Sequence, residues 1–204
     1  MAAAGRDPRT VRVVAVTKTF APAYVRAAYE AGLRTVGENY AGELAAKREA
    51  TRDLALTWHF LGALQTNKIA RVCANADVLC AVSRERELER IARAKPGARL
   101  YVEVDFTGAP ARAGAAPGEV AGLVARGRAL GLDVAGIMTV APPEAHGARR
   151  AFAATAALAD DLGLAERSMG MSDDLELALA HGSTEVRVGR ALFGPRGPGG
   201  PDLN

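Results

Sequence analysis

The chain of 204 residues has the length of one domain, and 49% hydrophobic with 24% charged residues is a composition that buries a full core and excludes a disordered chain. The formal net charge of +3 comes from arginines spread along helical stretches rather than gathered with aromatics, which argues against nucleic-acid binding. No stretch has the roughly 18 apolar residues of a membrane span, and the first residues lack the apolar core of a signal peptide, so a cytoplasmic protein is expected.

Two cysteines, Cys73 and Cys80, are too few for a disulfide framework, and with no ligand spacing to His59, His146 and His181 they predict no metal site. Residues 1–10 are read as a disordered or shortened amino-terminus, 11–194 as one domain, and the Gly/Pro-rich residues 195–204 as a flexible tail. Short β-branched runs then alternate with amphipathic stretches to the end of the domain. Eight strands are predicted: Val11 to Lys18, Thr35 to Glu38, Thr57 to Gly62, Val78 to Ser83, Arg99 to Phe106, Val134 to Ala141, Arg167 to Met171 and Glu185 to Phe193. Helices are predicted at 22–32, 40–50, 65–74, 84–94, 117–131, 144–162 and 173–181. Strict alternation of this kind specifies an α/β fold, a single (β/α)8 TIM-type barrel, with a long glycine-rich loop from Gly108 to Gly118 after strand five.

In such a barrel, functional groups gather where strands end. Of four lysines, Lys47 and Lys95 read as solvated surface and Lys68 as a residue near a helix start, whereas Lys18 ends strand one on the face of Val14 and Val16. Burial there favours the neutral amine that condenses with an aldehyde. In strand eight, Val186 and Val188 share one face, so Arg187 points into the barrel, where a cation needs a partner. That partner is either a carboxylate such as Glu103 or the ring nitrogen of a pyridine cofactor. Ser172, read as opening a helix with Asp173 and Asp174 in its first turn, together with Gly189 and Arg190, supplies an anion site after strands seven and eight. His59 reads as a core histidine, with no acid placed by sequence to orient it.

A tethering lysine, an arginine and a phosphate site point to pyridoxal 5'-phosphate. The ordered motifs Val16-Thr17-Lys18-Thr19, Gly37-Glu38-Asn39-Tyr40, Trp58-His59-Phe60-Leu61-Gly62, Leu64 to Lys68, Ser168 to Asp174 and Val186-Arg187-Val188-Gly189 resemble the pyridoxal phosphate homeostasis protein family, single-barrel relatives of the alanine racemase amino-terminal domain. The resemblance covers residues 11 to 194 and implies Lys18 as the Schiff-base lysine. It also implies Arg187 beside the ring nitrogen, Ser172, Gly189 and Arg190 around the phosphate, and Asn39 and Met138 nearby. The sequence departs from the family in having no amino-terminal helix before strand one, in carrying Arg112 where a lysine is common, and in carrying Arg190 where a small hydroxyl residue is common.

The function implied is a reversible carrier and buffer of pyridoxal phosphate, with no catalytic residue, monomeric, serving cofactor-dependent apoenzymes. The alternative is an amino-acid racemase of the alanine racemase type. That chemistry needs a second acid/base on the opposite ring face, a tyrosine from a separate β-domain, and the chain has no room for such a domain.

Overall fold

In the computed structural model, which describes residues 6–109 and 112–195, each of the eight predicted strands has a counterpart. The strands are β1 Arg12–Val16, β2 Thr35–Glu38, β3 Thr57–Phe60, β4 Val78–Val82, β5 Arg99–Val104, β6 Asp133–Thr139, β7 Glu166–Ser168 and β8 Glu185–Val188. Each pairs in parallel with its neighbour, and β8 returns to β1 to close the barrel. The connecting helices are α1 Pro22–Glu30, α2 Ala41–Ala50, α3 Ile69–Asn75, α4 Glu85–Ala94, α5 Pro117–Ala129, α6 Ala145–Asp161 and α7 Leu175–Ala180, followed by a short α8 at Arg190–Phe193. The chain is therefore a (β/α)8 barrel, and no helix among the described residues is long and apolar enough to cross a membrane.

Strand alternation sorts the side chains. Ala15, Leu100, Val102, Val104 and Ile137 face outward and share a core with Val25, Leu88, Ile91, Val120 and Val124 of the helices. Burying side chains such as Leu88 and Ile91 stabilises the fold by about 1.5–3 kcal/mol each. Val186 and Val188 pack outward with Leu175 and Leu179 of α7, so Arg187 faces inward as the alternation requires.

Several boundaries differ from the sequence reading. Strand eight does not run to Phe193: it stops at Val188, and the apolar run that follows turns at Gly189 into α8. Tertiary packing decides this, because Phe193 closes against Phe20 and Tyr24 at ring-centroid distances of 5.4 and 5.6 Å. Strand one ends at Val16, leaving Lys18 in a turn, and α3 starts at Ile69 rather than residue 65. Residues 1–5 and 196–204 lie outside the described residues, but the expected disorder does not extend to Pro8–Thr10, a single 3-10 turn whose amino end is capped by the Asp7 carboxylate. It is the only helical element ahead of β1 among the described residues.

Near the amino-terminal ends of the strands the barrel interior is filled by a polar layer rather than by hydrocarbon. The fully buried Glu185 carboxylate accepts from Arg12 Nη1 at 3.1 Å, Tyr101 Oη at 3.3 Å and Ser168 Oγ at 2.8 Å, and lies 3.4 Å from His59 Nδ1. Burial alone would raise its pKa, but the donors from His59, Ser168 and Arg12 outweigh burial and hold it down at about 2, below its ordinary 4.5. Glu185 is thus the acid that the sequence did not offer to His59, 126 residues away from it in the chain.

Because the folded pKa lies below the unfolded one, this stabilisation is present above pH 4.5 and is lost as the pH falls through 2. A Glu185→Gln variant should be less stable at neutral pH and should lose on the order of 3 kcal/mol less than the wild type on acidification. Urea denaturation across that pH range measures the difference, and identical pH slopes in the two proteins would refute the assignment.

Candidate functional site

Above the polar layer, at the carboxyl ends of the strands, lies a cavity of about 430 Å³ lined by Val16, Lys18, Asn39, Glu103, Met138, Ser172, Arg187, Gly189 and Arg190, among others. All seven residues expected from sequence to hold the ligand line it: Lys18, Asn39, Met138, Ser172, Arg187, Gly189 and Arg190. Lys18 and Arg187 meet from opposite ends of the chain because β1 pairs with β8, with Val14 opposite Arg187. The volume suits a small cofactor.

Arg187 forms the polar wall of the cavity nearest the interior. It is only 5% exposed, and it donates from Nη1 to Ser168 O at 2.6 Å and Ser168 Oγ at 2.8 Å, and from Nη2 to Thr139 O at 2.8 Å. All three acceptors are neutral, and no ion pair among the described residues includes Arg187, so the alternative of a structural pair with Glu103 is not realised. Burial lowers the guanidinium pKa, and Glu185 and Glu103 oppose that through space. A buried cation held by neutral oxygens beside a cavity favours an electron-rich ligand group.

Glu103, expected from sequence only as that pairing partner, is itself a cavity residue. Its alternation with outward Leu100, Val102 and Val104 was the available signal. Burial pushes its carboxyl up to about 7 against the opposing pull of Arg187. The neighbouring loop is pinned by Asp105, which accepts from Thr107 and Gly108, and by Arg112, which donates to Val140 O at 2.9 Å.

The opposite, outer end of the cavity carries the residues expected from sequence to bind an anion. Ser172 does not open a helix: residues 172–174 form a turn, α7 begins at Leu175, and Asp174 Oδ1 instead accepts from Met171 N at 2.6 Å. Ser172 Oγ accepts from Ala191 N at 3.2 Å, which ties this loop to α8. The exposed Arg190 is salt-bridged to Asp173, which also lines the cavity, so its charge is partly engaged at the mouth.

His59 is buried and does not line the cavity. Lys68 is exposed, but Lys95 is half-buried and donates to Ala76 O at 2.6 Å. Lys47, expected in solvent, is 4% exposed. Its Nζ donates to Thr17 O at 2.6 Å, Glu38 Oε1 at 2.7 Å and Glu43 Oε2 at 2.6 Å. The surface reading failed because Glu38 and the Thr17 carbonyl, unlike Glu43 on the same helix, reach it only when α2 docks on β1 and β2. Burial pushes the Glu38 carboxyl up to about 7 against the pull of Lys47 and Thr17.

The family model described as alanine racemase, N-terminal domain, matches residues 2–197. The pyridoxal phosphate homeostasis protein of Pseudomonas aeruginosa is 40% identical over 208 residues, spanning 98% of this chain and 90% of that protein. The protein of the same name from Escherichia coli K12 is 32% identical, spanning 94% and 88%. Among solved structures, PipY of Synechococcus elongatus without PLP superimposes with a TM-score of 0.88 at 34% identity over 95% of this chain and 97% of that one. The same protein with PLP bound gives 0.84 at 33% identity over 95% and 97%. Alanine racemase from Corynebacterium glutamicum, at 17% identity and a TM-score of 0.75, shares the fold and spans 91% of this chain and 57% of that one.

Asn39 owes its place to a close approach. A Cβ on Gly62 would lie 2.0 Å from Asn39 O and 2.8 Å from its carbonyl carbon, contacts with backbone that no side-chain motion relieves. Gly62→Ala should therefore cost about 1–3 kcal/mol of stability and displace Asn39. Urea denaturation and the amide chemical shift of Asn39 test this, and an unchanged shift in a variant of full stability would refute it.

Proposed function

Because the chain belongs to the pyridoxal phosphate homeostasis protein family, we propose that it holds pyridoxal 5'-phosphate reversibly at Lys18 as a cytoplasmic carrier and buffer, and is not an efficient enzyme. The observation that carries this reading is the convergence of Lys18, Arg187 and the Ser172–Gly189–Arg190 group on one cavity. When bound, the cofactor supplies an aldehyde that condenses with a lysine amine, together with a pyridine nitrogen and a phosphate.

The residues fit those three groups. Lys18 is half-buried at the cavity wall, where its amine can meet an aldehyde held in the cavity. Arg187 would stand at the ring nitrogen. A guanidinium donates and cannot accept a proton, so it keeps that nitrogen unprotonated and weakens the ring as an electron sink. Ser172, Gly189 and Arg190 would hold the phosphate at the outer end, with Asn39 at a ring substituent and the buried Met138 along the ring face. Tyr24, Tyr29, Tyr40 and Tyr101 all lie off the cavity lining, which supports holding over two-base racemisation. Delivery to cofactor-free enzymes by a monomer belongs to the same reading.

Lys18→Ala should abolish the visible imine absorbance of the purified protein and the adduct trapped by borohydride. Persistence of both would refute the tether. Incubation in deuterated buffer should give no exchange of the alanine α-proton above the rate with free cofactor; protein-dependent exchange would favour the racemase. Asp173→Asn frees Arg190 from an exposed pair and should tighten cofactor binding by about two- to fivefold at low salt. The gain should shrink as salt is added, and weaker binding on titration would contradict the placement of the phosphate.

A further inference from the structure

We propose that Lys47 is a positioning residue for Lys18: its buried ammonium, with Glu38 and Glu43, fixes the strained turn that carries the reactive amine. The proposal rests on the reading of Lys18 as the tether.

Lys18 sits inside a four-residue turn closed by Phe20 N donating to Thr17 O at 3.0 Å. The corner residue Thr19 has φ of +67°, the only positive φ outside glycine among the described residues. A β-branched residue is poorly suited to that region, and such strain persists only where surrounding contacts over-determine it. The contacts here come from one buried cluster that grips the backbone on both sides of Lys18. Before it, Thr17 O accepts from Lys47 Nζ at 2.6 Å in addition to the turn bond, and Thr17 Oγ1 donates to Glu38 Oε1 at 2.6 Å. After it, Thr19 N donates to Glu43 Oε2 at 2.8 Å. Lys47 joins the two halves, because Glu38 and Glu43 each accept from its Nζ.

A buried ammonium with three short acceptors is a rigid point of reference. Two of those acceptors are acids that reach the turn themselves, so loss of Lys47 releases the Thr17 carbonyl and the link between Glu38 and Glu43. The turn can then relax at Thr19, and the Lys18 amine leaves the direction of the cavity. Misplacement of about 1 Å is enough to slow a positioned reaction on the order of a hundredfold.

The test compares wild type, Lys47→Met, Thr19→Gly/Lys47→Met and Lys18→Ala, all assayed well below their unfolding temperatures. Two rates are read: imine formation with added pyridoxal phosphate, and acylation of Lys18 in cofactor-free protein by a small activated ester, whose alcohol leaves, with exposed Lys68 as internal reference. Lys47→Met should slow imine formation at least on the order of tenfold and change the Lys18-to-Lys68 acylation ratio. Glycine accepts positive φ without support, so Thr19→Gly in the same background should restore most of both rates. Folded Lys47→Met with both rates at wild-type values overturns the proposal. If that variant does not fold, Glu43→Gln takes its place, with slowing expected in the same sense and unchanged rates again overturning the proposal. Lys18→Ala separates the two readings. An adduct that survives there overturns the tether and the positioning together, whereas an adduct lost there but formed at wild-type rate in Lys47→Met overturns the positioning alone.

Discussion

The pairing of β1 with β8 is the constraint on which everything else depends. It places Val14 opposite Arg187 and brings residues separated by most of the chain to one rim. Parallel strands cannot be joined by a tight turn, so each needs its helix, and eight such units return to the start only if the strands close. Without that closure β1 would be an edge strand, and the turn after it that carries Lys18 would lose one wall of its cavity. With it, a lysine from the turn after the first strand and an arginine of the last line the same cavity.

Closure also creates a difficulty, because a barrel interior has little room for water and this one contains many charged groups. The interior resolves it by depth. Near the amino-terminal ends, Glu185 is fully enclosed and its charge is met by Arg12, Ser168, Tyr101 and His59. Nearer the mouth, Arg187 meets only neutral oxygens, and Glu103 is raised by burial. The satisfied layer contributes stability, and the under-compensated layer suits a polar ligand. A site of this kind is recognisable by which of its charges are left partly unanswered.

Much of this was legible in the sequence wherever alternation governs. The period of two placed Val14 and Val16 on one face and Arg187 opposite Val186 and Val188, and those assignments need no long-range information, whereas Lys18 reaches the cavity from the turn after β1 and not by strand alternation. The losses came where tertiary contacts override local pattern. Ala45-Ala46-Lys47-Arg48-Glu49 has the composition of a solvated helix, yet Lys47 is buried because α2 docks with it and Glu43, one turn earlier, facing Glu38 at the end of β2. The run after Gly189 has strand composition, yet it becomes α8 because Phe193 finds Phe20 and Tyr24. The partner of His59 was hidden for the same reason, since the strand order of a barrel and not its spacing brings β3 near β8.

Ser168 joins the two layers. Its hydroxyl donates to Glu185 Oε1, while the same oxygen and its own backbone carbonyl accept from Arg187. A hydroxyl carries one proton, so its orientation is shared property: while Glu185 is ionised, that proton points toward the carboxylate and leaves the oxygen lone pairs to the guanidinium. The acid beneath the cavity thereby sets the polarity of the surface on which the arginine rests. The floor of the cavity is polarised from below before any ligand arrives, and the barrel acts as a prearranged dielectric as well as a scaffold.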